Sequence, residues 1–410
     1  MNGLLKGSFD LMKQLNISVI LEVIRTKNAI SRADIAEITG LTPASVSKIT
    51  KDLMERGFIQ ESGLGESSGG RPPVLLTLNP KAGYVIGVNL GPGFLEIVLT
   101  DLEANILAES HERLEKIDQD YILESLFTLI ENIISNNKIA KEDIIGIGMA
   151  VHGVVNSQTG ISVFAPHYHW KDVAIKDLIE EKFDIPTFID NDVRAMALGE
   201  SWFGVAKGID NFITINISNG IGSGIMIGGK LHYGVDYSAG ELGHTIVDND
   251  GPKCSCGNYG CLESLASNTV IVERARKLIK QGVQTGITSL VKGDLAKLTT
   301  TTVCNAANQG DDLAQQLLKD IGRYLGIGIT NLLNILNPRM IVIVGDIVKA
   351  KSYVFSAILE TVEVRALETI AKDTKIVATD LGKNAATIGG VTLVLKELFK
   401  GAKLLEKGNK

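Results

Sequence analysis

The feature that most constrains this chain is a pattern that occurs twice. Residues 84–91 (YVIGVNLG), 94–101 (FLEIVLTD) and 105–110 (NILAES) are strand-like runs joined by short turns, followed by an amphipathic stretch over about 118–137 and the apolar run IIGIGMAV. The order restarts at 211–218 (NFITINIS) and 224–229 (GIMIGG), passes through long helical segments and reaches the strand MIVIVG at 340–345. A βββαβ order met twice predicts two related α/β lobes. In both, the first glycine-rich turn (GVNLGPG, SNGIGSG) joins strand to strand rather than strand to helix. Neither is therefore a Walker or Rossmann loop, and glycine-rich hairpin turns alone identify no ligand.

The lobes leave about 80 amino-terminal residues of the 410. There Ile17, Ile20, Leu21 and Ile24 have the spacing of a helix with one buried face. Ser31 with Asp34 forms a capping box for a second helix that Gly40 stops. Thr42 and Pro43 start a third, with Val46, Ile49 and Leu53 inward, ending near Gly57. Two helices joined by a tight turn can place the second in a major groove. Its outward Ser45, Ser47, Lys48 and Lys51, with Thr42 at its start, are candidate DNA contacts. The run SGLGESSGG and the strand-like VLLTL predict a two-stranded wing, with Arg71 before two prolines on a stiff backbone suited to phosphate or a narrow minor groove.

Charge agrees with a local DNA role. The formal net charge is −6, yet residues 1–80 carry 9 Lys/Arg against 8 Asp/Glu, while the rest carry 32 against 39. With 45% hydrophobic residues the chain can bury large cores, and no apolar stretch reaches bilayer length. The expectation is a cytoplasmic protein with no membrane partner.

Three of the four cysteines fall within eight positions, Cys254, Cys256 and Cys261. With His244 they make the soft ligand set of a closed tetrahedral site, read as structural zinc with no position for an activated water. Glu241 and Glu263 flank the loop, which would fix both against a polyol. The second imidazole nitrogen of His244 can also meet a ligand hydroxyl. In IDNDVRAMALGE (189–200) an apolar strand ends in Asn191 and Asp192 at the head of a helix, where open α/β folds place ligand groups. Asp192 can serve as general base, hydroxyl acceptor or helix cap. His167 and His169 in VFAPHYHW are further candidates, while Cys304 reads as a buried thiol.

GELGH (240–244), CSCGNYGCLE (254–263) and DNDVRAMALGE (190–200) resemble the signatures of the ROK family of repressors, open reading frames and kinases. The resemblance implies an α/β architecture: an N-terminal winged helix-turn-helix over 1–80, then two actin-like (ribonuclease H-like) ROK lobes over 81–203 and 204–383. A carboxy-terminal helix over about 384–400 can pack back on the first lobe, and the second is expected to carry the zinc loop and an oligomerisation surface. The resemblance implies a sugar site of Gly153, Asn191, Asp192, Glu241, His244 and Glu263, and zinc on His244, Cys254, Cys256 and Cys261. Members with the added winged helix are sugar-responsive regulators of the NagC, Mlc and XylR kind.

The nucleotide half departs from the kinases of that family. Their D-x-G-x-T phosphate loop is replaced by Asn89-Leu-Gly-Pro-Gly93, Asn219 replaces a Thr, and a Gly-Gly pair reads Gly345-Asp346. Asp346 is expected to repel phosphate. The reading is a non-enzymatic, sugar-responsive repressor acting as a homodimer or larger symmetric assembly on palindromic operator DNA, released by a sugar inducer such as xylose. The alternative is an ATP-dependent sugar kinase of hexokinase type with an appended DNA-binding domain.

Overall fold

The computed structural model describes residues 9–66 and 72–400. Helix α1 (Phe9–Lys27) buries Ile17, Ile20, Leu21 and Ile24. Strand β1 (Ile30–Ser31) leads into α2 (Arg32–Thr39), where the Ser31 hydroxyl accepts from the Asp34 N–H and the Asp34 carboxylate returns the bond. Gly40 takes the left-handed conformation (φ 69°) that ends this helix. Thr42 caps α3 (Pro43–Glu55), which buries Val46, Ile49 and Leu53 and ends one turn residue before Gly57. Strands β2 (Ile59–Leu64) and β3 (Val74–Leu78) complete a β1-β3-β2 sheet.

Only the short turn Pro80–Ala82 separates β3 from β4 (Tyr84–Gly91), the first strand of the first lobe. It is followed by β5 (Phe94–Thr100), β6 (Ile106–Arg113), α4 (Gln119–Asn136) and β7 (Ile144–Val151). A hairpin of β8 (Val154–Asn156), β9 (Ile161–Ala165) and β10 (Trp170–Val173) forms its own small sheet, which no sequence pattern announced. Then come α5 (Ile175–Phe183), β11 (Thr187–Asn191) and α6 (Asp192–Trp202). The second lobe contains β12 (Phe212–Ile217), β13 (Ile221–Ile227), β14 (Lys230–Leu231), α7 (Glu263–Ala266) and α8 (Asn268–Lys280). It continues through α9 (Ile287–Leu290), α10 (Thr300–Asn308), α11 (Asp312–Leu336), β15 (Met340–Val344), α12 (Lys351–Arg365), α13 (Glu368–Ala371) and β16 (Lys375–Ala378). The last described helix is α14 (Ala385–Lys400).

The two five-stranded sheets, β11-β7-β4-β5-β6 and β14-β13-β12-β15-β16, are mirrored in pairing. β4 pairs antiparallel with β5 and parallel with β7, as β12 does with β13 and β15. Each lobe has its own apolar core. A third core crosses a boundary: Ile17, Ile24, Ile35 and Leu53 of the winged helix pack in one cluster with Val98 and Leu102 of the first lobe and Val391, Val394 and Leu398 of α14. Each such buried side chain stabilises by about 1.5–3 kcal/mol, so the amino-terminal unit is fused to the lobe by burial. Among the described residues, no helix is long and apolar enough to cross a membrane.

Candidate functional site

A cavity of about 820 Å³ opens between the lobes, lined by Gly153, Asn191, Asp192, Glu241, His244 and Glu263 together. β11 ends at Asn191, and α6 begins with Asp192, at the carboxyl end of the parallel β11-β7-β4 part of the sheet. The cap of α6 is Asn191, not Asp192: its Oδ1 accepts from the Val193 and Arg194 N–H groups, both at 3.1 Å. Asn191 Nδ2 donates to the Gly153 carbonyl at 3.0 Å and to Asp192 Oδ1 at 2.8 Å. Gly153 has φ 100°, and a Cβ there would stand 2.2 Å from the Phe164 carbonyl oxygen, so the turn requires glycine. Burial pushes the Asp192 carboxyl up, and the facing His152 opposes that shift.

Glu263 bridges two loops. Its Oε2 accepts from the Ile221 N–H at 3.1 Å, and Oε1 accepts from the Ser255 hydroxyl at 3.3 Å. Four ligand atoms of His244, Cys254, Cys256 and Cys261 lie within 4.8 Å of one another. Cys254 Sγ is 3.7 Å from His244 Nδ1, and Cys256 Sγ is 3.7 Å from Cys261 Sγ. A tetrahedral ion with metal–sulfur bonds of about 2.3 Å spaces its sulfurs roughly 3.8 Å apart, so these residues fit a metal of that geometry. The other imidazole nitrogen, Nε2, faces Glu241 Oε2 at 3.9 Å. Cys304 is buried away from this cluster.

His152 and Arg194 of the cavity were not singled out from sequence. His152 lines it beside Gly153. The candidate His167 lines it too, and its pKa is lowered by burial and then by His152 and His169. His169 is exposed and does not line the cavity. Arg194 is 3% exposed and fully engaged: Nε donates to Asp190 Oδ1 at 2.7 Å, one terminal nitrogen to the Tyr237 carbonyl at 2.6 Å and the other to the Val155 carbonyl at 2.8 Å. The i, i+4 spacing of Asp190 and Arg194 was the available signal, but it spans a strand-to-helix junction that periodicity does not cross.

A second cavity of about 460 Å³, lined in part by Asn89, Asn219 and Asp346, occupies the nucleotide half. Several of its polar groups are paired, while the buried Asn268 Oδ1 has no partner. Asn89 Nδ2 donates to Glu96 at 2.8 Å, and Lys383 pairs with Glu109 at 2.8 Å. The Tyr168 hydroxyl donates to the Gly91 carbonyl and accepts from the Gly93 N–H at 3.0 Å, using the amide that a phosphate loop would offer. The Phe94 ring lies across Gly91, where a Cβ would stand 2.1 Å from it. Asp346, expected to repel phosphate, lines this cavity and pairs with Lys349 at 2.7 Å.

On the winged helix, Thr42, Ser47, Lys48 and Lys51 are exposed on α3 and Ser45 is half-buried. The Thr42 and Ser45 hydroxyls bond each other at 2.9 Å, and Lys51 stands 3.7 Å from Glu55. Arg71 lies outside the described residues.

Residues 10–60 match the winged helix-turn-helix DNA-binding family, and residues 85–397 match the ROK family. The chain is 36% identical to the xylose repressor of Bacillus spizizenii over 96% of this chain and 98% of that one. It is 34% identical to the DNA-binding transcriptional dual regulator NagC of Escherichia coli, over 96% of each. Among solved structures, a ROK family transcriptional regulator homologous to the Escherichia coli MLC protein aligns with a TM-score of 0.85 at 34% identity, covering 97% of this chain and 99% of that one. A ROK family glucokinase from Streptomyces griseus, in complex with glucose and AMPPNP, aligns at 0.67 and 26% identity over 76% of this chain and 99% of its own. With both lobes matched end to end, this chain belongs to the ROK family.

Proposed function

We propose that this protein is a sugar-responsive DNA-binding repressor without catalytic activity, in which sugar in the interlobe cavity lowers operator affinity. The observation that carries this reading is the shared core: the DNA-binding unit is fused by burial to the lobe that holds the cavity. Cleft closure then has a mechanical route to α3, and the coupling is bounded by the sugar's differential affinity for the two states. Residues 1–80 act as the DNA-binding domain, 81–203 with α14 as the first lobe and 204–383 as the second.

In this reading Asp192, Glu241 and Glu263 accept sugar hydroxyls, while His244 and the Gly153 turn complete the wall and Asn191 holds Asp192 in place. Zinc on His244, Cys254, Cys256 and Cys261 is structural; when bound it supplies rigidity to the loop that orients Glu241 and Glu263. Thr42, Ser45, Ser47, Lys48, Lys51 and Arg71 contact operator phosphates and base edges. A homodimer on a palindromic operator is supported by exposed Ile335 (77%), Val364 (84%) and Leu367 (62%) around the end of α11 and α12. Xylose and N-acetylglucosamine are the first inducers to test, since relatives at 36% and 34% identity are named a xylose repressor and an N-acetylglucosamine repressor.

The test is operator binding by fluorescence anisotropy at fixed salt, with DNA from the upstream region of the protein's own coding sequence, alone and with a sugar panel. Release by one sugar is the expected result. Selective DNA binding that no bound sugar changes would reject the mechanism. The glucokinase similarity makes a coupled ADP-release assay the second arm, and sustained turnover there would favour the sugar kinase alternative.

A further inference from the structure

We propose that α6 carries the state of the sugar cleft to the winged helix, and that Arg25 stacked on Trp202 is the joint through which it does so. This rests on the sugar-responsive reading above. One end of α6 is in the cleft: Asn191 caps it, Asp192 lines the cavity, and Arg194 grips carbonyls of both lobes, Val155 in the first and Tyr237 in the second. Any relative movement of the lobes therefore loads the first turn of this helix.

The middle of α6 has no slack. A Cβ at Gly389 of α14 would stand 2.3 Å from the Ala195 carbonyl oxygen, and one at Gly224 of β13 would stand 2.5 Å from the Val193 carbonyl oxygen. The helix is thus clamped at backbone contact between α14 on one side and the second-lobe sheet on the other. Elements packed this closely shift as units rather than deform.

The far end meets the DNA-binding unit. Ten residues from Asp192, a helical length of about 15 Å, the Trp202 ring lies between two partners. Phe399 of α14 meets it edge-on at 5.7 Å, and the Arg25 guanidinium of α1 sits 3.9 Å from its centroid. Arg25 is itself held by Glu22, with Nε donating at 3.0 Å. Attraction of a cation to an aromatic ring acts over the face, so a tilt of Trp202 alters this contact where simple apolar burial would tolerate it. Arg25 belongs to the helix whose Ile17, Ile20 and Ile24 form the winged-helix core.

Hydrogen exchange on the full-length protein, with and without saturating xylose or N-acetylglucosamine, reads the joint without DNA. In wild type, sugar is expected to slow amide exchange both at 192–202 and across 17–27. In Arg25→Met the effect at 192–202 is retained while that across 17–27 falls at least threefold; Lys13→Met, an exposed charge removed from the same helix, behaves as wild type. Equal protection of 17–27 in Arg25→Met and wild type overturns the joint, as does protection of 192–202 in wild type with none across 17–27. Failure of both sugars to slow exchange at 191–194 in wild type rejects them as inducers, and failure of the whole sugar panel rejects the sugar reading. The joint is then decided without ligand: a threefold change in exchange of α6 in Arg25→Met and Trp202→Leu supports it, and wild-type rates in both overturn it.

Discussion

The two halves of the interlobe cleft each draw on both lobes of a duplicated fold, and their polar groups are used differently. In the sugar half, Glu241 and Glu263 border a cavity of about 820 Å³ together with Asp192 and three imidazoles. In the nucleotide half, Asn89 is bonded to Glu96, Lys349 to Asp346 and the turn at Gly91–Gly93 to Tyr168. Binding capacity follows from groups left available, since a satisfied donor must break a bond before it can make one. One scaffold can thus leave one half open to a ligand and tie up part of the other with a few side chains.

The largest expected effect comes from removing the metal. The loop that carries Glu241 and Glu263 has little secondary structure of its own, so chelation should lower sugar affinity at least tenfold and reduce the melting temperature. Calorimetry on protein verified metal-free checks this; unchanged sugar affinity would break the link between the metal and the sugar half. Next, Asp192→Asn removes a buried charged acceptor, with an expected loss of about 2 kcal/mol, roughly thirtyfold in sugar Kd, and operator affinity unchanged. Because burial raises the Asp192 pKa, sugar affinity should also weaken as pH falls through the folded value and recover above it. A pH-independent Kd in wild type would argue that Asp192 does not accept from the sugar.

Tyr168→Phe sharpens the comparison from the other side. It deletes a hydroxyl with two backbone partners, so urea unfolding should report a loss of about 1–3 kcal/mol with sugar affinity nearly unchanged. An unaltered midpoint would mean that the turn is not held by this residue. The smallest effect concerns Glu200, under the nucleotide half, where burial raises the pKa and bonds from Thr379 and the Val205 N–H oppose the rise. A carboxyl with a folded pKa above its unfolded value favours folding below the unfolded pKa, and this contribution is lost as pH rises through the folded value. Glu200→Gln should therefore gain on wild type from about pH 4.5 upward in thermal melts; a constant difference across pH would contradict it.

The local signals that were legible share a short range. The capping box at Ser31 and Asp34, the Thr42-Pro43 helix start and the left-handed Gly40 are each decided within four residues, and the structure contains all three. The βββαβ repeat was legible for the same reason, as strand alternation and turn glycines are local. Asn191 as cap could not be separated from Asp192, because both residue types cap helices and only the backbone trajectory chooses between them. The β8–β10 hairpin escaped notice because its strands are three to five residues long, too short for a period to register.

By itself the sequence determined the amino-terminal helix pair and wing strands, the duplicated lobes, and a four-ligand metal set. Each depends on residues close together in the chain or on a ligand chemistry few other patterns share. Only the tertiary structure decided which groups remain free. Tyr168 reaches Gly91 across 77 positions, Arg194 reaches Tyr237 across 43, and Arg25 reaches Trp202 from another domain. Contacts at such separations depend on how whole sheets and helices stack, a sum over the packed interior that no local window contains.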